Sequence, residues 1–543
     1  MLKKYFNWSI VSCLFGLWIV IWGLISAEPL GFVGFLIVLG AALLLAIHKT
    51  REVFWLFLAL IPIETISLSP LQLPFDLRAY QMLGLLLAIV LIYRWISKKE
   101  NSKLFNLQGY ILGKNPSLKK TFSNIKFTDR LLILLAVFSF AGAWWNAPEK
   151  EVSIKLSIIL VSFLALYFLT KSFLKKNTHK LEGIWFFLLG AKVVFLFSLY
   201  QALAIRFGWK SFVIMNGRIN STFPEADWLG MYLALIIALL LWGELSIGHF
   251  GKPLNICKTD FQKFLRLLID AGLFLGIFFL ILTVSRSAWV ALAASLITFF
   301  LLAVAMTYRN NIFNLDKNRL AKGVLVFFFI ITAAILIVDY SNLSNFHLLN
   351  RAESSISGKQ KITVSCKGKQ RPPIEIQSID QLSTIDCRHI DLEIIASEKK
   401  LGNSIYEIYR PDPNIEIRKE IYGKTIHAIK DHPVIGQGLG SSAVLLGKDN
   451  RGEGLNTSNI FLEVLLSTGA IGLIWFLVII FSPIITSLKG YFNETDPIIL
   501  RKRNFIILST VAVIIPNLFN AGLLLGFFWV WLAVITKLRE EII

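Results

Sequence analysis

Long apolar runs separated by short basic loops dominate the chain from end to end. A helix needs about 20 apolar residues to cross a hydrocarbon core ~30 Å thick. Such runs recur at 8–26, 29–48, 52–68, 78–96, 129–147, 153–173, 184–206, 227–247, 267–284, 287–307, 323–339, 466–487, 504–518 and 521–537. The pattern predicts an all-α fold, a polytopic transmembrane helical bundle of about 14 spans. The first run is read as a span and not a cleavable signal. No small-residue cleavage site follows it, and the second run begins at once.

The alternation breaks once, between residues 340 and 458, where a single large loop is expected. The chain then divides into spans 1–11 at 1–339, the loop at 340–458, and spans 12–14 at 459–543. Inside the loop, residues 352–400 read as an inserted piece. Ile362–Val364 and Ile374–Ile376 look like short strands, punctuated by Arg371-Pro372-Pro373. Residues 415–430 read as an amphipathic helix, with Ile417, Ile421, Ile426 and Ile429 roughly on one face. Asp431-His432-Pro433 stops it, and Gly436, Gly438 and Gly440 follow in a glycine-rich turn. No internal repeat of the kind built into many transporters is visible.

Charge sets the orientation. Lys3, Lys4, Lys49 and Arg51, the lysines between 98 and 126, Lys175, Lys176, Lys252, Lys258, Lys263, Arg309, Arg319 and Arg501-Lys502-Arg503 fall in alternate loops. By the positive-inside rule these loops and both termini are cytoplasmic and the large loop is on the far side. The chain is 55% hydrophobic and only 17% charged, which suits a membrane solvent, and its net charge of +20 suits anionic lipid. Membrane lipid is therefore an expected partner and nucleic acid is not. Of the four cysteines, Cys13 lies in the first run and Cys257 in a cytoplasmic loop. Cys366 and Cys387 share the large loop, where a disulfide is permitted but spacing leaves it open.

Candidate chemistry is sought among polar residues that a membrane makes costly. Arg286, in Ser285-Arg286-Ser287-Ala288-Trp289, falls at a tight turn on the far side, and Arg218 in a smaller far-side loop at 207–226. Both run against the positive-inside trend. A guanidinium fork matches diphosphate oxygens, although an interfacial arginine also pairs with lipid phosphate or a neighbouring acid. Lys192 is expected in a structural ion pair with an acid such as Glu64, and Arg78 lies beside Asp76. The three alternating glycines could form an anion nest or simply a turn. His432 could act as a base, or be structural. No Asp-x-Asp pair, phosphate loop or zinc-spaced Cys/His cluster is present, so no metal or other cofactor is expected.

Four pieces in order resemble the O-antigen ligase/polymerase superfamily of bacterial membrane glycosyltransferases. They are Arg218 with Ser221-Thr222-Phe223-Pro224; Ser285-Arg286-Ser287-Ala288-Trp289; Arg418 leading to Asp431-His432-Pro433-Val434-Ile435-Gly436-Gln437-Gly438-Leu439-Gly440; and Ser458-Asn459-Ile460-Phe461-Leu462-Glu463 with Gly469 and Gly472. The resemblance covers roughly 180–535. It implies a bacterial inner-membrane enzyme that takes a glycan from a polyprenyl-diphosphate donor and passes it to a glycan or lipid A-core acceptor in the periplasm. Arg218, Arg286 and Arg418 would bind the diphosphate. Ligases of this family usually carry His-Asn where this chain has Ser458-Asn459; a serine is a poor proton acceptor, so the base is expected to be His432, His427 or Glu463, in that order, with Ser458 a further catalytic-site candidate. A repeat-unit polymerase is the nearest alternative; an anion or solute transporter and a non-catalytic assembly partner are the others.

Overall fold

The computed structural model describes residues 32–65, 78–96, 126–174, 177–215, 217–246, 259–308, 317–341, 343, 351, 353–354, 357–367, 371–390, 394–447 and 455–543. The expected span at 8–26, the basic residues at 98–120, 175–176 and 252–258, and Cys13, Cys257, Asp76 and Arg309 lie outside them.

Most of the apolar runs are helices. In order they are α1 (Phe32–His48), α2 (Thr50–Leu60), α3 (Ala79–Ile96), α4 (Phe127–Trp145), α5 (Lys150–Phe173), α6 (Asn177–Phe207), α7 (Ala226–Ser246), α8 (Thr259–Leu282), α9 (Arg286–Tyr308) and α10 (Lys317–Ser341). After the large loop come α14 (Ile460–Leu488), α15 (Pro497–Asn517) and α16 (Gly526–Ile542). Among the described residues eight helices are long and apolar enough to cross a membrane: α4 to α10 and α14. Among the described residues of the run expected at 52–68, the helix is Thr50–Leu60, and Pro62 closes it into a turn. In α15 the Arg501-Lys502-Arg503 triplet lies within the helix.

The bundle is built round α7. Of its most apolar window 94% is buried, against 28% to 50% for the other seven, and a helix apolar on every side belongs inside. It packs on α8, α9 and α15, while α4 lies on α14, α5 on α16 and α2 on α6. Small residues allow the close approaches. A methyl group on Gly230 of α7 would sit 2.7 Å from the Ala288 methyl of α9, so α7 meets the start of α9 nearly backbone to backbone.

The large loop holds a small sheet of strands β1 (Lys359–Cys366), β2 (Cys387–His389) and β3 (Ser404–Pro411), ordered β2-β1-β3 and antiparallel, with a short helix α11 (Ile395–Lys400) before β3. The expected strand at 362–364 is the middle of β1; that at 374–376 bonds only at its ends to Tyr409. The sheet runs past residue 400, where the inserted piece was expected to stop, to Pro411. Ile362, Val364, Cys366, Ile376, Leu382, Cys387 and Ile408 form its separate core. Cys366 and Cys387 stand directly opposite in the ladder and are bridged.

Beyond the sheet, α12 (Pro413–Asp431) is the expected amphipathic helix, started by Asp412 as N-cap with Pro413 in its first turn. Its buried face is Ile421, Thr425 and Ala428; Ile417 and Ile426 are half exposed, which corrects the isoleucine face expected from sequence. A one-turn helix, α13 (Ser441–Leu445), follows the glycine run.

Candidate functional site

Two turns from distant parts of the chain meet at one end of the bundle. The first, Gly217–Phe223, leads into α7. Its backbone is pinned from α6 by Gln201, whose side-chain oxygen accepts from the N–H groups of Asn220 and Ser221 at 3.1 and 2.6 Å. Ser221, at φ 48°, donates its hydroxyl to Val194, and Thr222 donates to Pro62 beyond α2. So fixed, the turn buries Arg218. Its Nε donates to the Thr283 carbonyl at 2.8 Å, and its Nη2 pairs with Asp227 at 3.2 Å. Asp227 lies in the first turn of α7, where a carboxylate also complements the helix dipole.

The second turn, Thr283–Ser285, joins α8 to α9 and places Arg286 at the first position of α9. Val284 adopts φ 53°, a region that costs a branched side chain about 1–3 kcal/mol. The turn is held by Thr283, whose hydroxyl donates to Leu280 at 2.7 Å and accepts from the Ser285 N–H at 3.2 Å. The Arg218–Thr283 bond thus joins the two arginine-bearing turns directly.

Arg286 reaches across to the large loop. Its Nη1 donates to Ser354 Oγ at 3.3 Å and pairs with Asp412. Asp412 serves two tasks: Oδ1 caps α12 through the Asn414 N–H at 3.0 Å, and Oδ2 holds Arg286. Burial would raise its pKa, but the bonds from Arg286 and Asn414 and the guanidinium charge outweigh burial, so the carboxyl lies below its usual range. Asp227, Ser354 and Asp412 were not anticipated from sequence. An Asp before Pro413 is a readable helix cap, but nothing in the sequence tells which cation its second oxygen meets.

Arg418 sits on α12. Its Nη2 donates to the Phe519 carbonyl at 3.2 Å, and its guanidinium lies over the Phe519 ring at 5.4 Å. The next residue, Asn520, donates to Ser287 at 3.0 Å, beside Arg286. Tyr422, one turn further along α12, donates to the Ser458 carbonyl at 3.5 Å, and Asn459 donates to Leu518 at 3.0 Å. Arg218, Arg286, Arg418 and Ser458 are thereby linked through one continuous set of contacts.

The other candidates sit elsewhere or are engaged. His432 ends α12, fourteen residues beyond Arg418, roughly 21 Å along the helix at 1.5 Å per residue. Its carbonyl accepts the Gly436 N–H. His427 is exposed on the same helix. Glu463 is buried, its two oxygens accepting from the Ser442 hydroxyl at 3.0 Å and the Thr457 N–H at 3.3 Å, so it fastens the 457–459 turn to α13. Glu64 pairs with Arg78 and takes the Tyr80 hydroxyl, not Lys192, which is exposed on α6.

The glycine run is a packing joint. Gln437 and Gly438 donate their N–H groups to Leu466 and Ser467 at 2.8 and 2.9 Å, and Ala470 donates to Pro433 at 2.8 Å. These bonds are available because α14 is broken at Gly469, at φ 68° and ψ −172°. Gly436 and Gly438, at φ 79° and 83°, have backbone of residues 467–469 and of Ala143 where side chains would be. The N–H groups of Gly436 and Gly438 are spent on carbonyls, which removes the anion-nest reading for them.

A helical membrane protein with arginines gathered where two inter-helix turns meet a large loop is the class this geometry defines. Residues 271–477 match the family model described as O-antigen ligase. That match, over residues 271–477, supports the O-antigen ligase superfamily and, at family level, an O-antigen ligase-like membrane glycosyltransferase. No curated protein matches the chain.

Proposed function

We propose that the chain moves a glycan from a polyprenyl-diphosphate donor to a sugar hydroxyl at the periplasmic face of the bacterial inner membrane. The observation that carries this reading is the bond from Arg218 to Thr283, three residues before Arg286. It supports a shared anion site from two separate stretches of chain. The acceptor oxygen attacks the anomeric carbon, the bond from that carbon to the diphosphate breaks, and the electron pair leaves on the diphosphate. Arg218 and Arg286 stabilise that charge, which is usually the largest electrostatic task in such a step. Arg418 braces the far wall through Phe519. Ser458, tied to the same wall through Tyr422, orients the acceptor hydroxyl, whose proton passes to an oxygen of the departing diphosphate.

The decisive variant is Arg286→Ala. Transfer from a lipid-diphosphate glycan should fall on the order of 10²–10³-fold, the usual effect of removing one charge-stabilising donor, with membrane insertion unchanged. Full transfer by that variant overturns the reading. The serine where ligases carry histidine favours a second reading, repeat-unit polymerisation. In a deletion strain, uncapped lipid A core beside intact long chains marks a ligase, and single-repeat products mark a polymerase.

A further inference from the structure

Beyond Arg218 and Arg286, a third arginine is linked to the same place. Arg351 lies in the short stretch between the end of α10 and the inserted sheet. Its carbonyl accepts the Ser354 hydroxyl at 2.9 Å, and that same oxygen takes Arg286 Nη1 at 3.3 Å. One side chain therefore couples the backbone of Arg351 to the head of Arg286. The Arg351 side chain is close enough to feel the charges of Arg286 and Arg218, and of the carboxylates Asp412 and Asp227.

Gathering three like charges in a partly buried place is unfavourable by itself. Burial first, and then the repulsion from Arg286 and Arg218, bring Arg351 down to about 10. The two carboxylates lessen that repulsion. Asp412 pairs with Arg286 and Asp227 with Arg218. A structural ion pair needs no such convergence from three parts of the chain. A polyanion with oxygens spread over two phosphorus atoms does, because one or two forks can satisfy a single phosphate and a further one is needed for its neighbour.

We propose that Arg351 is a further ligand-gripping residue of the diphosphate site, and that it makes the site select a diphosphate over a monophosphate. This rests on the reading of Arg218 and Arg286 given above. It also gives the inserted sheet a place in the site, since Ser354 at its beginning and Asp412 just past β3 both hold Arg286.

The test uses the full chain in detergent, with inorganic pyrophosphate and orthophosphate as probes. The wild-type chain should bind pyrophosphate the more tightly. Arg351→Ala should lose about tenfold or more in pyrophosphate affinity, the worth of one charge-assisted contact, while orthophosphate affinity changes less. If Arg218→Ala and Arg286→Ala weaken pyrophosphate and Arg351→Ala does not, this inference fails and the diphosphate reading stands. If none of the three matters, both fail. Should Arg351→Ala not fold, the wild-type chain decides: pyrophosphate should protect Arg351 from phenylglyoxal, mapped by mass spectrometry. Equal labelling with and without it overturns the proposal.

Discussion

Two ionic clusters occupy opposite ends of this bundle and differ in how completely they are closed. At the end where α4 begins and α16 finishes, Lys171 pairs with Asp129 and Glu540, each at 2.6 Å, and Tyr167 adds its hydroxyl to Asp129 at 2.7 Å. Lys171 and Asp129 have no exposed side-chain surface. At the other end the Asp227 side chain keeps 34% of its exposure and that of Arg286 keeps 23%. The first cluster satisfies its lysine from inside and ties α16 to α4 and α5. The second pairs both arginines and buries Arg218, yet leaves Arg286 and Asp227 partly exposed, with a third arginine nearby. A sealed pair holds helices together; a half-open one can exchange a carboxylate for a ligand.

Removing charge from the two ends should have opposite outcomes. Lys171→Ala removes the cation from the buried Asp129 pair, and losing one partner of such a pair costs about 3–5 kcal/mol. Folded yield and unfolding midpoint in detergent should drop sharply, with pyrophosphate affinity of the folded fraction unchanged. Wild-type stability in that variant would erase the contrast. Asp412→Asn is the milder counterpart at the open end. Asparagine caps helices about as well as aspartate, so stability should change by less than about 1 kcal/mol. Without the competing carboxylate, pyrophosphate should bind about threefold to tenfold more tightly, which titration of the two chains would show; weaker binding would mean Asp412 is no counter-ion. The smallest effect concerns pH. Because the Asp412 carboxyl is held below its usual value of ~3.9, its contribution is present above that value and is lost only as pH falls through the depressed one. The difference in unfolding midpoint between wild type and Asp412→Asn should therefore be flat from pH 8 to 5 and shrink in stronger acid.

The apolar period was enough to find the helices, since a membrane leaves few alternatives to them. It could not find the break at Gly469, because the residues that take up the freed backbone groups lie thirty positions earlier, at 433–438. The pattern on α12 misled for a related reason. Its covered face carries Thr425 and Ala428 beside Ile421, while Ile417 and Ile426 are half exposed. Arg218 and Arg286 stood out for opposing the positive-inside trend. Arg351 escaped notice because the large loop also carries Arg371, Arg388, Arg410 and Arg418, and the trend ranks none above another. Only tertiary placement separates Arg388, which pairs with Glu398 in the inserted sheet, from Arg351 beside Ser354.

The interrupted helix α14 has a practical consequence for engineering. Because the turn at 433–438 completes the hydrogen bonding of residues 466–470, and Gly142 and Gly438 touch without side chains between them, no clean cut exists at residue 458. A chimera that swaps the large loop with a relative's must carry the first half of α14 and the facing end of α4 along with it. A loop excised at that point would lose the surface against which its glycine-rich stretch is moulded.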